Sequence, residues 1–311
     1  MRNSRLSHIT LQASWALLWT FCAGVSPSWA QAYPSKPIKL VVPFPPGGGT
    51  DIITREVANK VATQQGWTIV IENKPGSGGN LGVDVAAKAT PDGYTLVMGQ
   101  TSNLAINATL YPKLPYKPEK DLTPIGLVAN APLAIVVAND SPFKTLADLV
   151  AAAKAKPEAL NYASSGSGTV AHLAIEQFQK ISSTRFTHIP YKGASQGLTD
   201  LIGGQLQMYV SSIPTLIGHI RNGKMRALAV TSLKRSDDLP NVPTVAESGY
   251  KGFEAVTWFG VVGPAGMAKE SVSKLNAAFN KAIETPEVMQ KLGAQGADVY
   301  GGSPEKFSEL I

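Results

Sequence analysis

The sequence predicts an α/β chain folded as two lobes, and three observations carry that reading. From Ile38 onward, short apolar runs alternate with amphipathic stretches, the pattern left by repeated β-α-β units. Residues 122–137 hold two apolar runs separated by Ala129, Asn130, Ala131 and Pro132, as expected where a strand crosses a hinge. At 311 residues, with 44% apolar and 16% charged, the chain is long enough for one large or two medium domains.

Taken in order, strands are expected near 38–42, 68–71, 94–98, 133–137, 160–163, 187–189, 207–210, 227–230 and 258–262. Helices fit 50–63, 81–89, 146–153, 170–179, 195–202, 269–284 and 286–292. Thr145 is placed to cap the helix at 146, Pro286 to open a helix in its first turn, and Gly293 to end it. The expected lobes are 33–128 with 231–311, and 129–230.

Residues 1–30 read as a secretory signal. Arg2 and Arg5 form its positive start, residues 11–25 its apolar stretch, and Pro27 breaks it before small residues. Cleavage fits after Ala30, or after Ala32 within Ala30-Gln31-Ala32. Beyond that segment no apolar run approaches the roughly 18 residues of a membrane span. Cys22, the single cysteine, lies inside the signal, and Trp19-Thr20-Phe21 before it does not resemble a lipoprotein cleavage site. The exported chain is therefore expected to have no disulfide, no thiolate nucleophile and no cysteine-based metal site. Losing Arg2 and Arg5 from 28 basic residues leaves 26 against 22 acidic ones. That mild, scattered excess favours small anions, and no Lys/Arg run points to nucleic acid.

The chemistry concentrates in two loops. Phe44, Pro45, Pro46, Gly47, Gly48, Gly49, Thr50 and Asp51 follow a strand and open a helix. Glycines let backbone N–H groups approach a ligand closely, and the helix start adds unpaired donors and a positive dipole end. Ser164, Ser165, Gly166, Ser167, Gly168 and Thr169 repeat the design in the other half of the chain. Hydroxyls on Ser165, Ser167 and Thr169 can donate to carboxylate oxygens. Each loop alone is equally a capped strand-to-helix turn, whereas two such loops in different halves suggest a ligand held from both sides.

The segments PSKPIKLVVPFPPGGGTDIITR, NKPGSGGNLG, YASSGSGTVAHLAIEQF, HIPYKGASQGLTDLIGGQ, GKMRALAVTSLKRSDDLPNVPTVAESG and WFGVVGPAG occur in that order from about Tyr33 to the end. Together they closely resemble the Bug family, the TctC-like substrate-binding proteins of tripartite tricarboxylate transporters. The resemblance implies a two-lobed periplasmic-binding-protein fold of type II-like, venus-flytrap form, hinged on crossing strands. It implies a non-enzymatic, monomeric periplasmic receptor, without cofactor or metal, that passes a small carboxylate to membrane transporter subunits. Dicarboxylates, tricarboxylates, acidic amino acids and aromatic acids all fit. It also implies a ligand site formed by the two loops, with Tyr191 and Lys192 facing the same cleft. Two departures stand out. Gln207 occupies a place where many members have an acidic residue, which is expected to alter the distal pocket. The chain also stops at Ile311, where members continue a C-terminal helix.

Enzyme readings are weaker. Gly193-Ala194-Ser195-Gln196-Gly197 matches G-x-S-x-G, with Asp200 and His219 following in hydrolase order, so a periplasmic serine hydrolase is the alternative. Against it stand Lys192, an Asp only five residues after the Ser, and the lack of an H-G-G-G-type oxyanion motif. Residues 166–171 imitate a dinucleotide fingerprint, yet Thr184 and Arg185 sit where its acidic residue belongs. Residues 218–224 imitate a phosphate loop, with Met225 in place of the magnesium-binding hydroxyl. His172, His188 and His219 are far apart in sequence and read as surface or packed imidazoles rather than metal ligands. Trp67 and Trp258 read as core or interface aromatics.

Overall fold

Described here by a computed structural model, residues 33–311 carry the fold, and the expected signal segment lies outside the described residues. The first β-α-β units are β1 (Ile38–Val42), α1 (Gly49–Gln65), β2 (Ile69–Asn73), α2 (Asn80–Ala87) and β3 (Thr95–Gln100). A π-helical turn at Ser102–Ile106 leads into two single-turn helices, α3 (Asn107–Leu110) and α4 (Pro118–Asp121), and then β4 (Leu122–Ala138). The second set is α5 (Leu146–Ala155), β5 (Asn161–Ser164), α6 (Val170–Ser182), β6 (Thr187–Pro190), α7 (Ala194–Ile202), β7 (Met208–Ser212), α8 (Ile213–Arg221) and β8 (Met225–Val230). The chain returns through β9 (Val256–Pro264), α9 (Lys269–Ile283), α10 (Pro286–Gly293), β10 (Asp298–Val299) and α11 (Pro304–Leu310).

The strands run in the order β2-β1-β3-β9-β4-β7-β5-β6, and β8 and β10 also pair with β4. The β-α-β units give parallel pairs, β1 with β2 and β3, and β5 with β6 and β7, as their helical crossovers require. The returning β9 lies antiparallel between β3 and β4. Within the 17 residues of β4, Leu122 to Pro132 face β9, while Leu133 to Ala138 face β7 and β8. Pro132, which has no N–H to give to a ladder, marks the changeover. The sheet is thus two halves joined by one crossing strand, each half with its own core. Tyr162, Ile175, Phe178 and Phe253 fill one; Val41, Val97, Val262 and Phe307 fill the other.

Most expected elements form within one or two residues of their expected places. Thr145 accepts from the Asp148 N–H and Asp148 accepts from the Thr145 N–H, a reciprocal cap that starts α5. Some features differ. The two apolar runs at 122–137 are one continuous strand, because each run finds its own antiparallel partner. Helix α8 was not expected; Ile213, Pro214, Thr215, Leu216 and Ile217 at its start are all buried. Gly293 is the last residue of α10 rather than its stop; the left-handed residue that turns the chain away is Gly296, at φ +71°. Helix α11 was likewise not expected; it docks by burying Phe307 edge-on to Trp258, at 5.7 Å between ring centroids. Gly260 leaves room for that ring.

Candidate functional site

At the carboxyl ends of β1, β5 and β7 the chain turns directly into helices α1, α6 and α8, and α7 begins close by. Their N-termini converge on one small cavity of about 40 Å³. Gly49 and Thr50 open α1, Val170 and Ala171 open α6, Ala194 opens α7, and Ser212 and Thr215 belong to the start of α8; all line it. Among the described residues, no Lys, Arg, His, Asp or Glu side chain does. Four positive dipole ends around a cleft lined without a cation favour an anion over a cation there.

The first loop is braced from behind. Gly47 takes the left-handed φ of +82°, and its N–H donates to Asp51 Oδ2 at 3.0 Å. Arg55 and Asn73 also donate to the Asp51 carboxylate, each at 2.9 Å, and the same Asn73 amide donates to the Phe44 carbonyl. Burial of Asp51 pushes its carboxyl up, but the bonds from Arg55, Asn73 and Gly47 outweigh this and hold it below its ordinary value. Asp51 therefore sits beside the cavity as the loop's brace, while Phe44, Pro45, Gly48, Gly49 and Thr50 line it. Gly49 donates its N–H to Thr215 Oγ1 at 2.9 Å, joining α1 to α8.

The second loop folds on itself. Ser164 Oγ accepts the Gly166 N–H, and Thr169 Oγ1 donates to the Gly166 carbonyl at 2.7 Å while capping α6 at His172. Gly166 and Gly168 both have positive φ, at 135° and 79°. Ser165 and Thr169 line the cavity; Ser164 and Gly166 lie beneath the loop, and the exposed Ser167 accepts from Tyr111 at its carbonyl. Gly168 faces Asn107 and Leu110 rather than the cavity.

The third segment lies at the rim. Tyr191 donates to Asp200 Oδ2 at 2.6 Å, which raises the phenol to about 12, and Lys192 is exposed. Gly193 abuts Pro45, and Ser195 Oγ donates to the Pro46 carbonyl at 3.2 Å, so the rims of the cleft touch. Asp200 is thus engaged by a phenol and Ser195 by a carbonyl, and neither bonds to His219. Gln207, expected to alter the distal pocket, lies outside the cavity lining and accepts the Asn161 N–H at 2.9 Å between β5 and β7.

Sequence reasoning missed Gln100, Leu133, Ser211, Ser212, Thr215 and Thr257 in the lining. Ser212-Ile213-Pro214 carried a usable signal, a hydroxyl followed by Pro in the first turn of a helix. Gln100 and Thr257 carried none, since they come from strand ends brought together only by β3 pairing with β9. The histidines also correct the sequence picture: His172 and His188, 16 residues apart, stack with ring centroids 4.2 Å apart.

A two-halved sheet with a cleft at its crossing strand and helix starts aimed into it defines a solute-binding protein of the two-lobed periplasmic class. The comparisons with known proteins agree. Residues 53–311 match the family described as tripartite tricarboxylate transporter family receptor. The protein BugT of Bordetella pertussis is 38% identical over 291 residues, 93% of this chain and 89% of that one. The periplasmic binding protein BugD superposes with a TM-score of 0.86 at 34% identity, over 89% of this chain and 93% of that one. A Rhodopseudomonas palustris protein solved with adipate gives 0.87 at 34% identity over the same shares. MatC of the same organism, with bound malate, gives 0.84 at 31% identity, over 89% and 96%. The chain belongs to the tripartite tricarboxylate transporter receptor family, the Bug-type solute-binding proteins.

Proposed function

We propose that this chain is a non-enzymatic, monomeric periplasmic receptor that closes on a small carboxylate and delivers it to the membrane subunits of a tripartite transporter. The observation that carries this reading is the meeting of four helix N-termini on an uncharged cavity. A carboxylate there accepts from backbone N–H groups and hydroxyls already held in place, and the dipole ends supply the favourable field. In this assignment the Gly48–Thr50 turn, Ser165 and the start of α6 at Val170 and Ala171 hold the carboxylate. Gln100, Ser211 and Thr257 meet the rest of the ligand. Gly47, Asp51, Ser164, Gly166, Gly168 and Tyr191 shape the loops. In this assignment residues 33–132 with 256–311 form one lobe and 133–255 the other, since Phe253 shares a core with Tyr162 and Phe178 and β4 changes partners after Pro132.

Relatives solved with adipate and malate favour a linear dicarboxylate. The size of the cavity favours a short one: about 40 Å³ holds only a few waters' worth of probe space at roughly 10–15 Å³ each. Native mass spectrometry of the purified protein, followed by a melting-temperature screen of carboxylates and their amides, tests the reading. The expected result is stabilisation by one or more short dicarboxylates and none by the matching diamides. Stabilisation by amides and acids alike would sink it.

A further inference from the structure

We propose that His172, backed by His188, positions the second binding loop, and that uptake of a proton by this imidazole pair loosens the loop and releases the ligand. The inference rests on the reading above, in which Ser165 of the Ser164–Thr169 loop helps to hold a carboxylate.

The geometry is a column of three rings beneath the loop. Tyr162 of β5 stacks on His188 of β6 at 4.7 Å, and His188 stacks on His172 of α6 at 4.2 Å. Both imidazoles bond to the loop itself. His188 Nε2 lies 2.8 Å from Ser164 Oγ, the hydroxyl that accepts the Gly166 N–H. Gly168 donates its N–H to His172 Nδ1 at 3.2 Å. That bond requires an unprotonated Nδ1, so the neutral ring carries its hydrogen on Nε2, toward Glu176 Oε1 at 3.9 Å.

A proton from solvent adds to the Nδ1 lone pair and converts the acceptor into a donor. Two N–H groups then face each other, the Gly168 bond breaks, and the left-handed turn at Gly168 loses its anchor. The stack takes up one proton before a second, because two charged rings in contact repel. The surroundings keep the pair neutral. Burial, then the neighbouring His172, bring His188 down to about 4; burial also lowers His172, against the pull of Glu176.

The other groups facing the pair do not replace it. Glu176 accepts from Tyr162 and Gln179, and Lys180 and Arg185 share the solvent-filled pocket on its far side. Tyr111, just past α3, donates to Ser167, and Tyr209 of β7 contacts Ser165. Burial raises all three phenols, at Tyr111, Tyr162 and Tyr209, so none titrates where a histidine does.

The test compares wild type with His172→Phe, which keeps a stacking ring without the acceptor, and His172→Asn, whose Oδ1 can accept the Gly168 N–H but does not titrate. Adipate and malate are the probes, with folding of each variant checked by circular dichroism. His172→Phe is expected to lose affinity throughout, and His172→Asn to restore most of it. The ratio of wild-type to His172→Asn affinity, which cancels the probe's own titration, should fall severalfold, by less than about tenfold, from about pH 8 to pH 5.5. In the ligand-free protein the Gly168 amide resonance should move with the titration of the His172 ring. A constant ratio, or a Gly168 resonance that ignores that titration, overturns the proposal. Failure of both probes to bind at about pH 8 while Gly168 still follows His172 counts against the carboxylate reading and upholds the coupling of ring to loop.

Discussion

Leu133 and Thr231 are tied in both directions: the Leu133 N–H donates to Thr231 Oγ1 at 2.8 Å, and the Thr231 N–H donates to the Leu133 carbonyl at 2.9 Å. The Thr231 hydroxyl then donates to the Ala255 carbonyl at 2.6 Å. One buried side chain therefore pins the chain on leaving β8 and the chain entering β9 to the point where β4 changes partners. Thr231→Val keeps the shape and leaves the Leu133 N–H and the Ala255 carbonyl short of a partner. The expected cost is about 2–4 kcal/mol, or a melting point lower by roughly 5–12 °C. Calorimetry of the purified protein checks it, and a loss within error would show that these crossings are not held here.

The glycine loop makes a discriminating pair. Gly48 has φ −82°, and a Cβ there meets only the Pro45 carbonyl, at 3.8 Å. At Gly49 a Cβ would come within 2.5 Å of Ser212 Oγ and 3.2 Å of Thr215 Oγ1. Gly49→Ala is expected to cost about 1–3 kcal/mol by overpacking and to abolish carboxylate binding. Gly48→Ala should stay within about 0.5 kcal/mol of wild type. Denaturant titration gives the order, and the reverse order would show a different loop geometry.

Hydroxyls can be sorted the same way. Ser195→Ala removes only an exposed bond to Pro46, so carboxylate affinity should change by less than about twofold. Hydrolysis of an ester that disappears with Ser195 would instead support the hydrolase alternative. Thr169→Val removes the donor to Gly166 and the cap of α6, and should cost about 0.5–2 kcal/mol of stability. Sequence reasoning gave this hydroxyl to the ligand; its one proton is spent within the loop.

Asp51 sets a pH dependence. Its folded-state value lies below 3.8, the ordinary value that the unfolded chain retains. The stabilisation is therefore complete above the unfolded value and is lost as pH falls through the folded one. The melting-temperature gap between wild type and Asp51→Asn should be widest near neutrality and close as the pH drops below about 4. A gap that widens on acidification would reverse the sign and reject the brace.

Export follows from the N-terminal reading. Intact-mass analysis of periplasmic protein should find a chain starting at Gln31 or Tyr33. A mature product retaining Met1 would contradict it.

The sequence by itself determined the alternation of strands and helices, the two glycine-rich turns and the absence of a basic residue within them. These are local properties: apolar period, cap chemistry and the permissiveness of glycine act over a few residues. The tertiary structure alone decided which neutral groups complete the cleft. Thr215 reaches Gly49 across 166 positions of sequence, and His172 meets His188 only because β5 and β6 pair in parallel beside α6. It also decided that Asp51 braces a loop, because Arg55 lies one helical turn along α1 while Asn73 arrives from β2, parallel to β1. Such meetings depend on strand register and helix docking, which are settled by burying every apolar face of the chain at once.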